Sequence, residues 1–461
     1  MSALWTSERI AAAVDGEAHG PFEANGVAFD SREVGPGDLF IALKGETTNG
    51  HRFLNGAFER GAAGAIVSAD CAHPHIRVGD TTEALSALGR ASRARMSGKV
   101  IGVTGSVGKT GTKEALYAAL ARKPGRIAHR SVKSYNNHTG VPLSLARMPM
   151  ASDFGVFEMG MNHAGELAVL TQLVRPHVAI VTAIAPAHSE FFPNEEAIAE
   201  AKGEIFAGLE PGGTALIPYD SPHRDRLIAA AEPHAETIWT FGLGEGAMIR
   251  AREVVREMTG TIVTAELPGA ELTFTIGLPG DHWVSNALAV IGAVEAVGSD
   301  LALAGLALAE MAGLPGRGQR TMIRLDEGEA LLVDESYNAN PASMAATLKT
   351  LGEETADRRI AVLGGMRELG EQSEQFHADI KGPIEAAGVD LCILVGEEMA
   401  PLADALGSGT DFVHVPGPSE ALDVLSDRIR PGDAVLVKGS NAIGLARLVE
   451  ALASGKIPCS T

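Results

Sequence analysis

The chain has 461 residues, enough for about three domains and a sizeable core. Its 38 basic and 58 acidic residues leave a net charge of −20, which argues against a nucleic-acid partner and against attraction to an anionic membrane surface. Three scattered cysteines (Cys71, Cys392, Cys459) lack metal-ligand spacing, the N-terminus lacks signal-peptide order, and no apolar run is long enough to cross a bilayer, so the reading is a cytoplasmic protein without membrane insertion.

Residues 1–80 read as a small α/β unit. Thr6 or Ser7 can cap a first helix through Val14, and GVAFDSR (26–32) and DLFIALKG (38–45) are strand-like, joined through Gly35-Pro36-Gly37. A helix near 52–62 and short strands at 65–68 and 76–79 complete the unit. Asp30, Ser31 and Arg32, and Lys44 in KGE (44–46), stand at strand ends, where either a ligand or water can meet them. Residues 81–96 predict a helix starting at Thr81 or Thr82, and Ser97-Gly98 after it predict a hinge.

KVIGVTGSVGKTGTKEALYAAL (99–120) is the stretch around which the chain is organised. An apolar run predicts a buried parallel strand, Thr104-Gly105-Ser106-Val107-Gly108 a turn, and Lys109-Thr110 the start of a helix. Such a turn converges backbone N–H groups and the positive helix end on one anion. Lys109 adds a point charge for terminal phosphates, and the Thr110 hydroxyl can ligate Mg²⁺. Val103 stands where many phosphate loops carry their first glycine, so the cradle is of the T-G-x-x-G-K-T kind.

Strand and helix then alternate through residue 312, with strands at 154–160, 177–184 and 214–220, which implies a mostly parallel sheet with ligands at its carboxyl ends. Glu158 ends one of these strands, where a carboxylate can hold Mg²⁺ or simply be solvated. His188 follows the next strand, Lys202 lies in a helical stretch where a solvated charge is the plain reading, and Tyr135-Asn136-Asn137 form a polar loop. Residues 237–278 read as an antiparallel extension, and a helix over 282–297 closes the domain. GLPGRGQR (313–320) is a linker. Beyond it, strands at 330–336, 359–366, 391–396, 411–415 and 433–440 predict a second doubly wound domain without a dinucleotide fingerprint. DESYNANP (334–341) and VKGS (437–440) place polar groups, including Asn338 and Lys438, at strand ends.

TGSVGKT, YNNHTGVP, FEMGMNHAGEL, AIAPAHSEFF, AKGEIF, GDHWVSNA, GRGQR, DESYNANP and VKGS occur together in an order similar to that of the Mur ligase family, over nearly the whole chain. GGMRELGEQSEQFH (364–377) resembles the branch that adds D-alanyl-D-alanine, and no D-N-P-[RA] motif of the diaminopimelate- or lysine-adding branch is found. The resemblance implies a three-domain α/β protein: a small N-terminal domain (1–80) holding the UDP end of the substrate, a central P-loop domain (81–312) binding ATP, and a C-terminal Rossmann-like domain (313–461). It implies ATP-dependent amide formation between UDP-N-acetylmuramoyl-tripeptide and D-alanyl-D-alanine through an acyl phosphate, by a monomer.

By the same resemblance, Thr104 to Thr110 and Gly111 hold the ATP phosphates. Thr110, Glu158 and His188 serve magnesium, and Lys202, carbamylated in several members, serves a second ion. Asn286, Arg317 and Asp334 meet adenine, phosphate and ribose, although His282 precedes Trp283 where the family often has His-Asn. Asp30, Ser31, Arg32 and Lys44 fall in the UDP-holding segment, Asn136 and Asn137 near substrate and metals, and Asn338 and Lys438 near substrate. Arg367, Glu368 and His377 are expected to fix the dipeptide. A tripeptide-forming Mur-type ligase or a folylpolyglutamate synthase is the alternative.

Overall fold

The computed structural model describes residues 3–45, 48–186, 190–257 and 260–454. His188, Glu46 and Cys459 lie outside them. Among the described residues, three α/β sheets succeed one another along the chain, with a two-stranded ribbon near the start. No described helix is long and apolar enough to cross a membrane.

The first sheet runs in the order Glu17–His19, His75–Arg77, Gly64–Val67, Asp38–Ile41, Gly26–Ala28. Only the Glu17–His19 edge is antiparallel. Thr6 caps the helix Ser7–Val14 as expected, its side chain accepting from Arg9 N. The helix Thr81–Arg95 starts at Thr81 as expected, but neither threonine caps it. Asp80 is the cap, accepting from Thr82 N and Glu83 N, while Thr81 Oγ1 is buried and donates to Ala42 O. Leu85 and Leu88 of this helix share a core with Leu39, Ile41 and Ile66 of the sheet and with Leu143 and Ala146 of the helix Gly140–Ala146.

The second sheet has nine strands and is parallel from Ala128–Arg130 to Ile249–Glu257. Its first strand in sequence, Lys99–Thr104, lies between Phe154–Glu158 and Val178–Val181. The chain leaves this strand to one side and returns on the other, so the phosphate loop sits at a topological switch point. Val100 packs on one face and Ile101 and Val103 on the other, all fully buried, which is why the run carries no polar alternation. The expected antiparallel extension begins later than residue 237: Thr237–Gly242 continues the parallel sheet, and the antiparallel strands are Gly260–Glu266 and Glu271–Ile276. Asp281–Ala296 is a helix, but the uniformly apolar helix Leu301–Ala309 follows it and had no periodicity to reveal it.

The third sheet is ordered Gln319–Leu325, Gly328–Glu335, Asp433–Lys438, Arg358–Gly364, Leu391–Val395, Asp411–Val415, parallel except for the first strand. That first strand begins inside the expected linker. Apolar clusters cover both faces, as doubly wound topology requires.

Candidate active site

The carboxyl ends of the second and third sheets line a shared cleft of about 760 Å³. From the second sheet come the loop residues Ser106 to Gly111, Glu158 and Thr182. From the third come Glu335 and Tyr337, Lys438 and Ser440, and Arg367 to Leu369.

Two glycines make the loop possible. Gly105 has φ 150°, and a Cβ there would fall 1.9 Å from Thr182 Oγ1. Gly108 has φ 85°, and a Cβ there would fall 2.7 Å from Asn286 Oδ1. The loop is tied to the neighbouring chain: Ser106 N donates to Ala183 O at 2.8 Å, Ser106 Oγ to Ala185 O at 2.9 Å, and Thr182 Oγ1 donates to Thr104 O and Val107 O. Gly108 then opens the helix Lys109–Ala121 without a side-chain cap, leaving its first N–H groups for an anion. Lys109 curls back to donate to Gly105 O and Ser106 O. Burial lowers its ammonium from the ordinary lysine value, Glu158 opposing.

Glu158 is 1% exposed. Its Oε2 accepts from Thr110 Oγ1 at 2.9 Å and its Oε1 from Asn136 Nδ2 at 2.9 Å. Lys113 Nζ, itself fully buried, lies 3.8 Å from Oε2 and donates to Ser131 O and Lys133 O. A carboxylate and a hydroxyl side by side at the phosphate loop are hard oxygen donors, so the set fits Mg²⁺. Lys113 was not singled out from the sequence. It lies one helical turn after Lys109 on a buried face, and that spacing was the available signal.

Arg317 comes from the linker. Its guanidinium stacks over Tyr337 at 4.2 Å and donates to Ser134 Oγ at 3.3 Å, so it touches both halves of the cleft. Lys438 Nζ donates to Asn338 O at 3.0 Å and lies 3.5 Å from Glu335 Oε2, and burial lowers its ammonium. Arg367 pairs with Glu398 at 2.6 Å, and its N–H donates to Ser440 Oγ at 3.0 Å. Glu368, next to it, has φ 63°. Trp283 covers Gly111, where a Cβ would fall 2.7 Å from the indole. Burial holds the His282 imidazole down at about 4.

Three family models match successive parts of the chain: Mur ligase family, catalytic domain, over 23–93; Mur ligase middle domain over 103–294; and Mur ligase, glutamate ligase domain, over 319–441. The UDP-N-acetylmuramoyl-tripeptide--D-alanyl-D-alanine ligase of Escherichia coli (strain K12) is 34% identical over 97% of this chain and 98% of its own length. The chain belongs to the Mur ligase family. A crystal structure of MurF from Acinetobacter baumannii is 29% identical, with a TM-score of 0.85 over 98% of this chain and 99% of that one. MurF ligase from Thermotoga maritima in complex with ADP is 27% identical, with a TM-score of 0.77 over 93% and 97%.

In this Mur ligase the cleft gathers Ser106 to Gly111, Asn136, Glu158, Asn286, Arg317, Asn338, Arg367 and Lys438 of the expected residues. Several others stand elsewhere. Asp334 is 6% exposed, and its carboxylate accepts from Gly316 N (2.6 Å), Ser336 N (3.0 Å) and Ser336 Oγ (2.6 Å). It fastens the linker and does not line the cleft. His377 is 1% exposed. Its Nδ1–H donates to Ser373 O at 2.7 Å and its Nε2 accepts from Met366 N at 2.9 Å, so both ring nitrogens serve backbone. Asn137 Oδ1 accepts from Gly140 N at 2.9 Å, at the start of a helix.

Thr104 and Gly105 form the buried floor of the loop, outside the lining. Lys202 is 1% exposed and also behind the lining. Burial holds it well below the ordinary lysine value, with the Lys109 charge adding to the effect. Asp30, Ser31, Arg32 and Lys44 follow the strands Gly26–Ala28 and Asp38–Ile41 of the N-terminal sheet and do not line the cleft. Asp30 is engaged by Arg32, with Nη2 to Oδ2 at 2.6 Å. Glu33, beside them, reaches the central domain by accepting from Lys133 Nζ and from Tyr135 OH at 3.0 Å.

Proposed function

We infer that this chain is an ATP-dependent amide ligase of peptidoglycan precursor synthesis. It joins D-alanyl-D-alanine to UDP-N-acetylmuramoyl-tripeptide and gives the pentapeptide, ADP and phosphate. The observation that carries the reading is the cleft, which sets a phosphate loop and the Glu158–Thr110 pair against a cationic wall of Arg317, Arg367 and Lys438. The Escherichia coli relative, similar over the full length, carries that activity in its name.

The terminal carboxylate of the tripeptide attacks the γ-phosphorus of ATP, giving an acyl phosphate and ADP. The dipeptide amine then attacks the acyl carbon, and inorganic phosphate leaves. The loop amides and Lys109 hold the ATP phosphates, while Arg317 neutralises charge that grows on the transferred group. Lys438, on the same wall as Arg317, faces the same charge. Glu158 and Thr110, with His188, are the residues that would hold Mg²⁺, which when bound spreads negative charge off the phosphates. Lys202 supports a carbamate reading, because its burial disfavours the charged ammonium, and the neutral amine is the form that adds CO₂. As a carbamate it would serve a second ion.

The N-terminal domain, through Asp30, Ser31, Arg32 and Lys44, takes the UDP end. With the domains divided as 1–80, 81–312 and 313–461, hinges at Ser97-Gly98 and 313–318 would let the C-terminal domain close and keep water from the acyl phosphate. The protein acts as a cytoplasmic monomer. The test is trapping: with ATP, UDP-tripeptide and hydroxylamine in place of dipeptide, an acyl hydroxamate of the tripeptide is expected. ATP turnover with no hydroxamate under any condition would remove the acyl-phosphate reading.

A further inference from the structure

The free edge of the N-terminal sheet carries a group of side chains with no part in the chemistry above. Antiparallel register sets His19 directly opposite His75, and Glu17 opposite Arg77. Side chains alternate along a strand with period two, so all four stand on one face. The turn before His75 brings Asp70 to the same face, with Oδ1 3.6 Å from His75 Nε2. His75 is 3% exposed, and its Nδ1–H donates to His73 O at 2.7 Å, which leaves a lone pair on Nε2. His75 Nε2 and His19 Nε2 are both buried, and among the described residues neither has a hydrogen-bond partner. The ligand atoms of His19, Asp70 and His75 lie within 4.8 Å of one another.

We propose that His19, Asp70 and His75 form a binding site for a divalent cation of the zinc class. Two imidazole nitrogens and one carboxylate oxygen are a set that Zn²⁺ accepts, with a fourth position left for water, whereas Mg²⁺ prefers oxygen alone. The carbonyl of His73 holds His75 in the tautomer a ligand needs, as outer partners of metal-bound histidines do. Two adjustments accompany binding. The rings stack with centroids 4.5 Å apart and planes 5° apart, so an ion in the plane of His75 is off the plane of His19. His19 sits on the edge strand with 35% of its side chain exposed, and it turns to join. Arg77, 3.6 Å from Asp70, gives way while keeping its contact with Glu17. The bound ion ties edge strand, turn and inner strand together, away from the cleft.

The test uses untagged full-length protein in saturating Mg²⁺, titrated with Zn²⁺ by calorimetry and with Co²⁺ by visible absorption. One equivalent is expected to bind the wild type and raise its Tm. His19→Ala and Asp70→Asn, both at partly exposed positions, are each expected to weaken binding about tenfold or more and to erase the Co²⁺ absorption, with ligase activity unchanged. Failure of the wild type to bind Zn²⁺ at micromolar concentration, or equal affinity in the wild type and both variants, would overturn the proposal.

Discussion

Replacing Glu158 by glutamine removes one buried charge at nearly constant volume. The amide oxygen can keep the Asn136 bond, and the amide N–H can meet Thr110, whose hydroxyl turns from donor to acceptor, so hydrogen bonding is largely conserved. What is lost is charge. Lys113 Nζ stands 3.8 Å away, a separation worth about 4 kcal/mol at an effective dielectric of 20. Lys113 retains Ser131 O, Lys133 O and Glu114 at 3.1 Å, and the variant no longer bears the desolvation of a buried carboxylate. The net loss of stability is therefore about 1–3 kcal/mol. The catalytic loss is larger, because the charge that would hold Mg²⁺ at the phosphates is gone: about 3–4 kcal/mol, or roughly 10²–10³-fold in kcat. The ATP KM changes less, since the loop amides and Lys109 remain. Phosphate-release kinetics across a Mg²⁺ series, with thermal melts alongside, measure both effects. E158Q with more than about a tenth of wild-type kcat at any Mg²⁺ concentration would refute the assigned role.

Neighbouring asparagines should behave differently. Asn136→Ala strips a donor from Glu158 and should lower kcat about tenfold, whereas Asn137→Ala should cost about 1 kcal/mol of stability and leave kinetics nearly intact. Equal kinetic losses would contradict this division. His377→Ala should destabilise the protein by about 2–4 kcal/mol yet change the dipeptide KM less than about threefold, while Arg367→Ala raises it about tenfold or more. The same KM in both would sink the distinction. Burial holds His129 and His177 down at about 4, and His177 Nδ1 accepts from Val100 N at 3.0 Å, a bond that protonation breaks. A histidine with a lowered folded value favours the fold above the unfolded value near 6.5 and loses that contribution as pH falls towards 4. Melts from pH 7.5 to 4 should show a falling Tm, less steep in His177→Gln, and a flat profile would count against it.

The phosphate loop was legible because its chemistry is local: strand, glycine turn and helix start are contiguous, and their roles follow from backbone geometry. Glu158 was legible as a strand end beside that loop. Asp334, His377 and Asn137 were harder. A sequence shows that a polar side chain stands near a strand end, but not whether a backbone N–H two to eighteen residues away captures it first, as Gly316, Ser336, Met366 and Gly140 do. Leu301–Ala309 hid because an all-apolar helix has no periodic face. The strand Gln319–Leu325 hid because its first residues read as linker and its exposed edge is polar.

The most direct test follows phosphate release and product mass with ATP and UDP-N-acetylmuramoyl-tripeptide, adding D-alanyl-D-alanine or free diaminopimelate in turn. Release that depends on the dipeptide, with UDP-pentapeptide formed, is the expected result. Release that needs neither amine, or that is supported by diaminopimelate on a dipeptide precursor, would contradict the assignment and move the enzyme to another step.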